Sequence, residues 1–367
     1  MITSLLVKPG KIELREVEIP RPSKGDILVK IKTALTCGTD IKAFFRGHPM
    51  IPMPGVFGHE FSGVIAEAGK GIKGFKEGDE IMAVHSAPCL ECKYCKKRDY
   101  NLCEKIMDTK VLGAFAEYIL LPPHIVRQNT FYKPKNLTFE ESAFLEPLSC
   151  VVHGIEPLGI KKGDLVLIMG AGPIGLLHLL LLKEKGAVVA VADIKNNRLS
   201  IAKKLGADFV FKTNLPIPSH PPLSKGRNRG VINISVPPLV KGRQGDFQAG
   251  KFSDFIGFDY VFECTGKPEV WESSINYLRK GGTLILFGGC KKGTTVTYDT
   301  YRLHYDEITL KGVFHYTPAD VKKAYKLIGE EKLGLSRLIS GRYPLRDIEK
   351  AFNKLAQGIG IKYAIIP

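Results

Sequence analysis

The 367-residue chain is short of acid: 37 Asp and Glu stand against 53 Lys and Arg, a formal net charge of +16. It also has no long uninterrupted apolar run. Its most apolar stretch, Leu165 to Leu182, is broken by Gly170, Gly172, Pro173, Gly175 and His178. Such a run reads as a buried strand, a turn and a helix, and excludes a membrane span. The opening MITSLLVKPGKIEL meets charge too soon for a secretory leader, so the expected location is the cytoplasm. Collagen-like and coiled-coil periodicities are missing. With 44% hydrophobic and 25% charged residues, the chain has the make-up of a globular protein that buries a full core, which excludes a mainly disordered one. At roughly 150 residues per domain, its length suggests two or three domains.

The basic excess could mark nucleic acid or anionic substrates, so its placement matters. Between Ser219 and Lys251 the cations Lys225, Arg227, Arg229, Lys241, Arg243 and Lys251 face only Asp246. The remainder is spread over Lys-rich stretches that read as solvated faces. The same region carries PPLSKGR at 221 and PPLVKGR at 237, two copies of one motif. Its composition cannot bury enough apolar area to offset chain entropy. Residues 213–255 are therefore expected to be an exposed, mobile insertion; a basic docking arm is the functional alternative.

Two styles of patterning divide the rest. Residues 1–147 hold short alternating runs, ILVKIKTAL, HEFSGVIAEAG, DEIMAV and FAEYIL, punctuated by Gly and Pro. These predict a β domain with long loops. Over 148–294, apolar strands such as LVLIM, VVAVAD and GTLILFGG alternate with helical stretches, the mark of βαβ units and a parallel sheet. Residues 295–367 are mixed, with helices predicted at 318–330 and 345–357 and a last strand at 362–366. The fold class is α/β.

Eight cysteines are present, four of them within one short window: Cys89, Cys92, Cys95 and Cys103, spaced C-x2-C-x2-C-x7-C. Without an export signal, metal is a better reading than disulfides. Four thiolates saturate a tetrahedral Zn²⁺ and leave no open position, so this zinc would be structural. An iron–sulfur cluster is the alternative occupant. A nucleic-acid zinc finger would need a reading helix, and none is evident.

After the strand LVLIM come Gly170-Ala171-Gly172-Pro173-Ile174-Gly175 and then a helical run. The pattern G-x-G-x-x-G is weak alone but sits here in the required strand–turn–helix context. Gly170 permits the tight turn, Gly172 the approach of a pyrophosphate, and Gly175 close helix–strand packing. The helix N-terminus offers free N–H groups to phosphate. Asp193 ends the next strand, 18 residues after Gly175. An acid there accepts from ribose hydroxyls and repels a 2′-phosphate, which favours NAD over NADP. Arg198, within reach of adenine or ribose, and Lys195 argue the other way.

Three further stretches carry reactive side chains: Cys37-Gly38-Thr39-Asp40, Gly58-His59-Glu60 and Glu146-Pro147-Leu148-Ser149-Cys150. Taken singly each reads as core, surface or helix cap, and spacing alone does not bring them together. In combination with the cysteine loop, GAGPIG at 170–175, Asp193 and ECTG at 263–266, they resemble the zinc-containing medium-chain dehydrogenases, in the sorbitol and threonine dehydrogenase branch. The resemblance covers nearly everything but the insertion.

It implies a GroES-like β domain completed by the C-terminal segment, a Rossmann domain, and an active site in the cleft between them. Cys37 and His59 would bind a catalytic zinc, with Glu60 and Glu146 supplying the remaining ligands directly or through water. That makes two zinc ions per chain. Thr39 would pass on the alcohol proton, Asp40 would orient His59, and Cys150 would lie beside the nicotinamide. Cys264, Thr265, Gly266, Phe287 and Gly288 would contact the nicotinamide half of NAD(H), while Gly170, Gly172, Pro173, Ile174, Gly175, Asp193 and Arg198 would hold the rest. In that family a histidine commonly follows the relay hydroxyl by three residues. Here Lys42 stands there, and His48 is taken as the substitute exit.

The implied activity is oxidation of a secondary alcohol or polyol to a ketone, in a homotetramer or homodimer. Threonine, an aminocyclitol or a sugar alcohol are alternative substrates. Competing classes are a basic nucleic-acid-binding zinc protein and a zinc-free reductase; the missing recognition helix weighs against the first, and Cys37, His59 and Glu60 against the second.

Overall fold

The computed structural model describes residues 1–213, 239–241, 247–249 and 256–367. The insertion expected over 213–255 thus lies almost wholly outside the described residues; within it, Leu239–Lys241 and Phe247–Ala249 pair antiparallel. The chain divides into two compact units, one formed by residues 1–153 with 314–367 and the other by 154–313.

Alternation builds the first unit. In strand Ile27–Leu35, Lys30 and Lys32 face solvent while Val29, Ile31 and Thr33 are buried, the period-2 pattern of a half-covered sheet. This strand is central to a seven-stranded sheet. The path runs Ile339–Pro344, Lys362–Ile366, Ile27–Leu35, Phe61–Ala68, Glu80–Ala83 and Thr130–Tyr132, with Tyr118–Leu121 also pairing on Ile27–Leu35. The C-terminal strand joins through the antiparallel partners Ala364↔Leu35 and Ile365↔Ala34. Helix Ile348–Ala356 returns to the same core, where the Phe352 ring meets Phe57 and Phe115 edge-on at 6.1 and 5.9 Å. Such pairs contribute about 0.5–1.5 kcal/mol beyond the area they bury. The predicted helix over 345–357 begins as a 3₁₀ turn, Leu345–Asp347. Helix Pro318–Gly329 starts on a Thr317–Asp320 capping box.

The second unit carries a six-stranded parallel sheet in the order Phe209–Lys212, Val188–Asp193, Leu165–Met169, Phe258–Glu263, Leu278–Leu286, Thr309–Gly312. Counted from Leu165–Met169 this is 3-2-1-4-5-6, the doubly wound order that binds dinucleotides at its switch point. Residues 295–313 belong to this unit. The boundary expected near 294 moves to Val313, because Thr309–Gly312 supplies the sixth strand beside Leu278–Leu286. Among the described residues no helix is long and apolar enough to cross a membrane.

Candidate active site and metal centres

The four thiols of Cys89, Cys92, Cys95 and Cys103 lie within 4.8 Å of one another. The Cys89 and Cys95 sulfurs are 3.9 Å apart. That is far beyond disulfide length but close to the spacing of about 3.8 Å set by 2.3 Å zinc–sulfur bonds in a tetrahedron. Main-chain N–H groups already point at sulfur: Cys89 N donates to Cys103 Sγ (3.3 Å) and Cys92 N to Cys89 Sγ (3.4 Å). Two non-glycine residues, Leu90 and Arg98, take left-handed φ values of 66° and 68° to close the loop, a conformation that costs energy unless the surroundings enforce it. Donation from the Cys95 backbone pulls the Cys92 thiol down to about 6, while burial pushes Cys95 up to about 12. Four sulfurs so packed cannot all ionise without a cation, so the donor set fits a closed Zn²⁺ site.

The second group comprises Cys37, His59 and Glu60, whose ligand atoms also lie within 4.8 Å of each other. Cys37 caps helix Gly38–Arg46, just past strand Ile27–Leu35, while His59 and Glu60 enter strand Phe61–Ala68. The pairing Leu35 N to Glu60 O (2.9 Å) sets the two chain segments in register. Asp40, wholly buried, stands 3.4 Å from His59 Nδ1. Burial pushes the His59 imidazole down, but the charges of Asp40 and Cys37 push it further up, and it stands well above its usual value. Among the described residues, both Asp40 carboxylate oxygens and Glu60 Oε1 are buried with no hydrogen-bond partner. Buried anionic oxygens left this way are costly, and a divalent cation is the species that would compensate them.

Lys362 was not singled out by any motif. Its ammonium group, 1% exposed, is ion-paired with Glu60 Oε2 and donates to Thr36 O at 2.8 Å. Even so, burial holds the Glu60 carboxyl above its usual range.

Glu146 lies apart from the ligand atoms of Cys37, His59 and Glu60, an arrangement that leaves the water-mediated role of the two expected. It is not among the three residues whose ligand atoms lie together, and clusters with His85 and His315 within 4.8 Å. Its Oε1 is 3.7 Å from His85 Nδ1, and burial pushes its carboxyl up to about 7. His85 in turn lies against His59, ring centroids 5.1 Å apart. A buried polar wall continues from there. Tyr316 OH is 3.3 Å from His85 Nδ1, and the Ser86 hydroxyl bonds both Tyr316 OH (3.0 Å) and His315 Nε2 (2.6 Å). Asn129 Nδ2 fixes Ser86 by donating to its carbonyl at 2.7 Å. Burial keeps the two imidazoles neutral: His85 falls well below its usual value and His315 to about 3. His315 is also held at φ 62°.

Thr39 lies half-buried on helix Gly38–Arg46. His48 accepts from Met50 N at 3.3 Å, and no hydrogen bond joins it to Thr39 among the described residues. Burial and the cations Lys42 and Arg46 lower its pKa.

In the second unit, the glycine turn links strand Leu165–Met169 to helix Pro173–Glu184, with Pro173 at its first position. Gly170 sits at φ 105°, and a Cβ there would come within 2.8 Å of Thr265 Cγ2; one on Gly175 would overlap the Gly170 carbonyl oxygen. Ile174 O accepts from the buried His178 ring. Asp193 Oδ2 accepts from Ala171 N and Oδ1 from Lys195 N, each at 2.8 Å. The carboxylate therefore ties strand end to turn while keeping lone pairs for another donor. An Arg198 terminal nitrogen lies 3.5 Å from where a Cβ on Gly172 would be, and its Nε has no hydrogen-bond partner among the described residues. Cys264, Thr265, Phe287 and Gly288 follow the C-terminal ends of strands Phe258–Glu263 and Leu278–Leu286. This is the edge where doubly wound sheets bind their ligands, and the side-chain-free cradle fits a dinucleotide.

A zinc-ligand set on a β unit, combined with a doubly wound dinucleotide fold, defines the class: a metal-dependent enzyme that exchanges hydride with an alcohol. Residues 23–129 match the alcohol dehydrogenase GroES-like domain, and 245–330 match the zinc-binding dehydrogenases. A sorbitol dehydrogenase of Halalkalibacterium halodurans is 30% identical over 364 residues, 98% of this chain and 96% of its own. A D-arabitol-phosphate dehydrogenase of Enterococcus avium is 32% identical over 97% of this chain and 95% of its own. A structure described as a zinc-binding dehydrogenase of Sinorhizobium meliloti 1021 bound to NADP superposes with TM-score 0.82 at 28% identity, over 100% of this chain and 99% of the other. The chain belongs to the zinc-containing medium-chain dehydrogenase/reductase family, on its sorbitol dehydrogenase-like branch.

Proposed function

We propose that this enzyme oxidises a secondary alcohol of a neutral polyol to the ketone, R₂CHOH + NAD⁺ → R₂C=O + NADH + H⁺. The observation that carries this is the open set Cys37, His59 and Glu60, with Asp40 behind the imidazole. These residues would hold the catalytic zinc, which supplies a Lewis-acid site for the alcohol oxygen. The four cysteines would hold a second zinc. Asp40 orients His59. Thr39 takes the hydroxyl proton, and His48 is the group we assign to its exit. Cys⁻, neutral His and Glu⁻ already cancel the charge of Zn²⁺, which suits exchange of alcohols over attack by water.

Relatives act on sorbitol and on arabitol phosphate. The polar wall of Ser86, His85, His315 and Tyr316 is neutral, and the buried ammonium of Lys362 is committed to Glu60. Such a surface matches hydroxyl groups, which favours sorbitol-like substrates. Lys110 near His85, and Lys42 and Arg46 near His48, are the cations a phosphorylated polyol would use, and the polyol phosphate below tests them. Glu146, set in that wall, would act on the metal through an intervening water.

Asp193 supports NAD over NADP. The cofactor-bound S. meliloti structure carries NADP, which makes the choice worth measuring directly. Assembly as a homotetramer or homodimer in the cytoplasm completes the proposal.

The test is a panel of sorbitol, xylitol, 2,3-butanediol, threonine and a polyol phosphate with NAD and with NADP, followed by nicotinamide absorbance, alongside metal analysis. Turnover of free polyols with NAD and two zinc per chain is the expected result. Threonine turned over in preference to every polyol would overturn the substrate, and a zinc-free active protein would overturn the mechanism.

A further inference from the structure

We propose that Glu263 is a positioning residue for the nicotinamide half of the cofactor. It clamps together the two loops that would receive that half, and the proposal rests on the functional reading above. Glu263 ends strand Phe258–Glu263 opposite Met169 of the central strand, with its side chain fully buried. Its two ends grip different loops. The carboxylate holds the loop after its own strand: Oε1 accepts from Thr265 N (2.7 Å), the Thr265 hydroxyl and Gly266 N (3.1 Å), and Oε2 from Gly266 N (3.2 Å). The main-chain carbonyl holds the neighbouring loop, accepting from Phe287 N (3.1 Å) and Gly288 N (2.9 Å). Trp271 Nε1 closes the far side by donating to Gly288 O at 2.8 Å.

The clamp leaves no slack. A Cβ on Gly288 would overlap Gly266 N and lie 2.8 Å from Glu263 Oε2. Gly266, at φ 66°, takes the left-handed turn that lets both its N–H and that of Thr265 face the carboxylate. The clamped Thr265 methyl in turn packs where a Cβ on Gly170 would reach. The carboxylate thereby fixes the Thr265–Gly266 loop against both the pyrophosphate turn and the Gly288 loop that the Glu263 carbonyl holds.

Stability is a poor reason for such a group. Among the described residues no Lys or Arg pairs with it, and a buried carboxylate held only by neutral donors carries a desolvation cost that an apolar residue would avoid. Nor is it a catalytic residue, since its burial keeps it from touching substrate or cofactor. What it gives is geometry: a strong acceptor aligned by several donors holds loop atoms more tightly than neutral contacts do.

The experiment is calorimetric titration of the full-length wild type and Glu263→Gln with NADH and with ADP-ribose, which lacks the nicotinamide. The amide keeps one acceptor but turns an NH₂ toward Gly266 N, so donor faces donor. NADH should bind about tenfold more weakly, the loss of one charge-assisted hydrogen bond, while ADP-ribose should hold within about twofold. Equal weakening of both ligands, or no change in either, overturns the proposal. Should Glu263→Gln fail to fold, Thr265→Val keeps the carboxylate and removes one donor; it should show the same selectivity at about threefold, and an unselective effect overturns the proposal equally. A wild type that binds neither ligand sinks the functional reading itself, a distinct outcome.

Discussion

The cysteine loop and the Cys37–His59–Glu60 group lie in the same unit and both offer thiolate to a metal, yet they are built by different means. The loop is local. Its four ligands come from 15 consecutive residues, its N–H groups already face sulfur, and Ile106, Met107 and Tyr100 give it a small core of its own. The other group draws on residues remote in sequence, and its Asp40 oxygens and Glu60 Oε1 have no hydrogen-bond donor among the described residues. A site that satisfies itself locally holds structure, whereas one that leaves buried acceptor oxygens without a donor is prepared for a metal and then for a substrate.

Mutations can break this contrast. Cys37→Ala or His59→Ala should lower turnover by about 10³-fold or more, as expected for loss of the group that stabilises developing charge, and remove one of two zinc equivalents. The melting temperature should barely move; retained turnover would end the assignment. Cys92→Ala should do the reverse, releasing the other zinc and lowering Tm by about 10 °C, because structural metal affinity is folding energy. Activity per folded molecule should persist, and calorimetry with metal analysis separates the cases.

Lys362→Met sharpens the comparison from another side. Leaving the Glu60 carboxylate buried without its cation should cost roughly 3–5 kcal/mol in denaturant unfolding. Adding Glu60→Gln should restore part of that loss; a neutral Lys362→Met would show that the pair contributes nothing. The smallest effect is expected in the second unit. Asp193→Ala should raise the apparent KM for NAD about tenfold, the cost of a charged hydrogen bond, and improve relative use of NADP. An unchanged cofactor ratio would count against the assignment.

Much of this was readable beforehand, for physical reasons. The strand–turn–helix around Gly170–Gly175 declares itself because backbone geometry restricts those positions to glycine, and the cysteine loop because tetrahedral ligation dictates its spacing. Period-2 alternation marked Ile27–Leu35. What escaped is what depends on distance in sequence. His85, Ser86, His315 and Tyr316 lie in stretches with no motif, and only the fold brings them together. The resemblance assigns Glu146 to the zinc directly or through water; its side chain groups with two histidines that nothing in the sequence links to it. The domain boundary slipped to Val313 because a short sixth strand, Thr309–Gly312, carries too little pattern to be separated from its surroundings.

The partner of Glu60 arrives 302 residues after it. During synthesis the first 153 residues can leave the ribosome and collapse, but their buried carboxylate has no cation until the polypeptide has passed through the whole dinucleotide unit and come back. The buried pair that backs the open metal site is therefore completed by the end of the chain, whereas all four ligands of the cysteine loop are made within one short stretch.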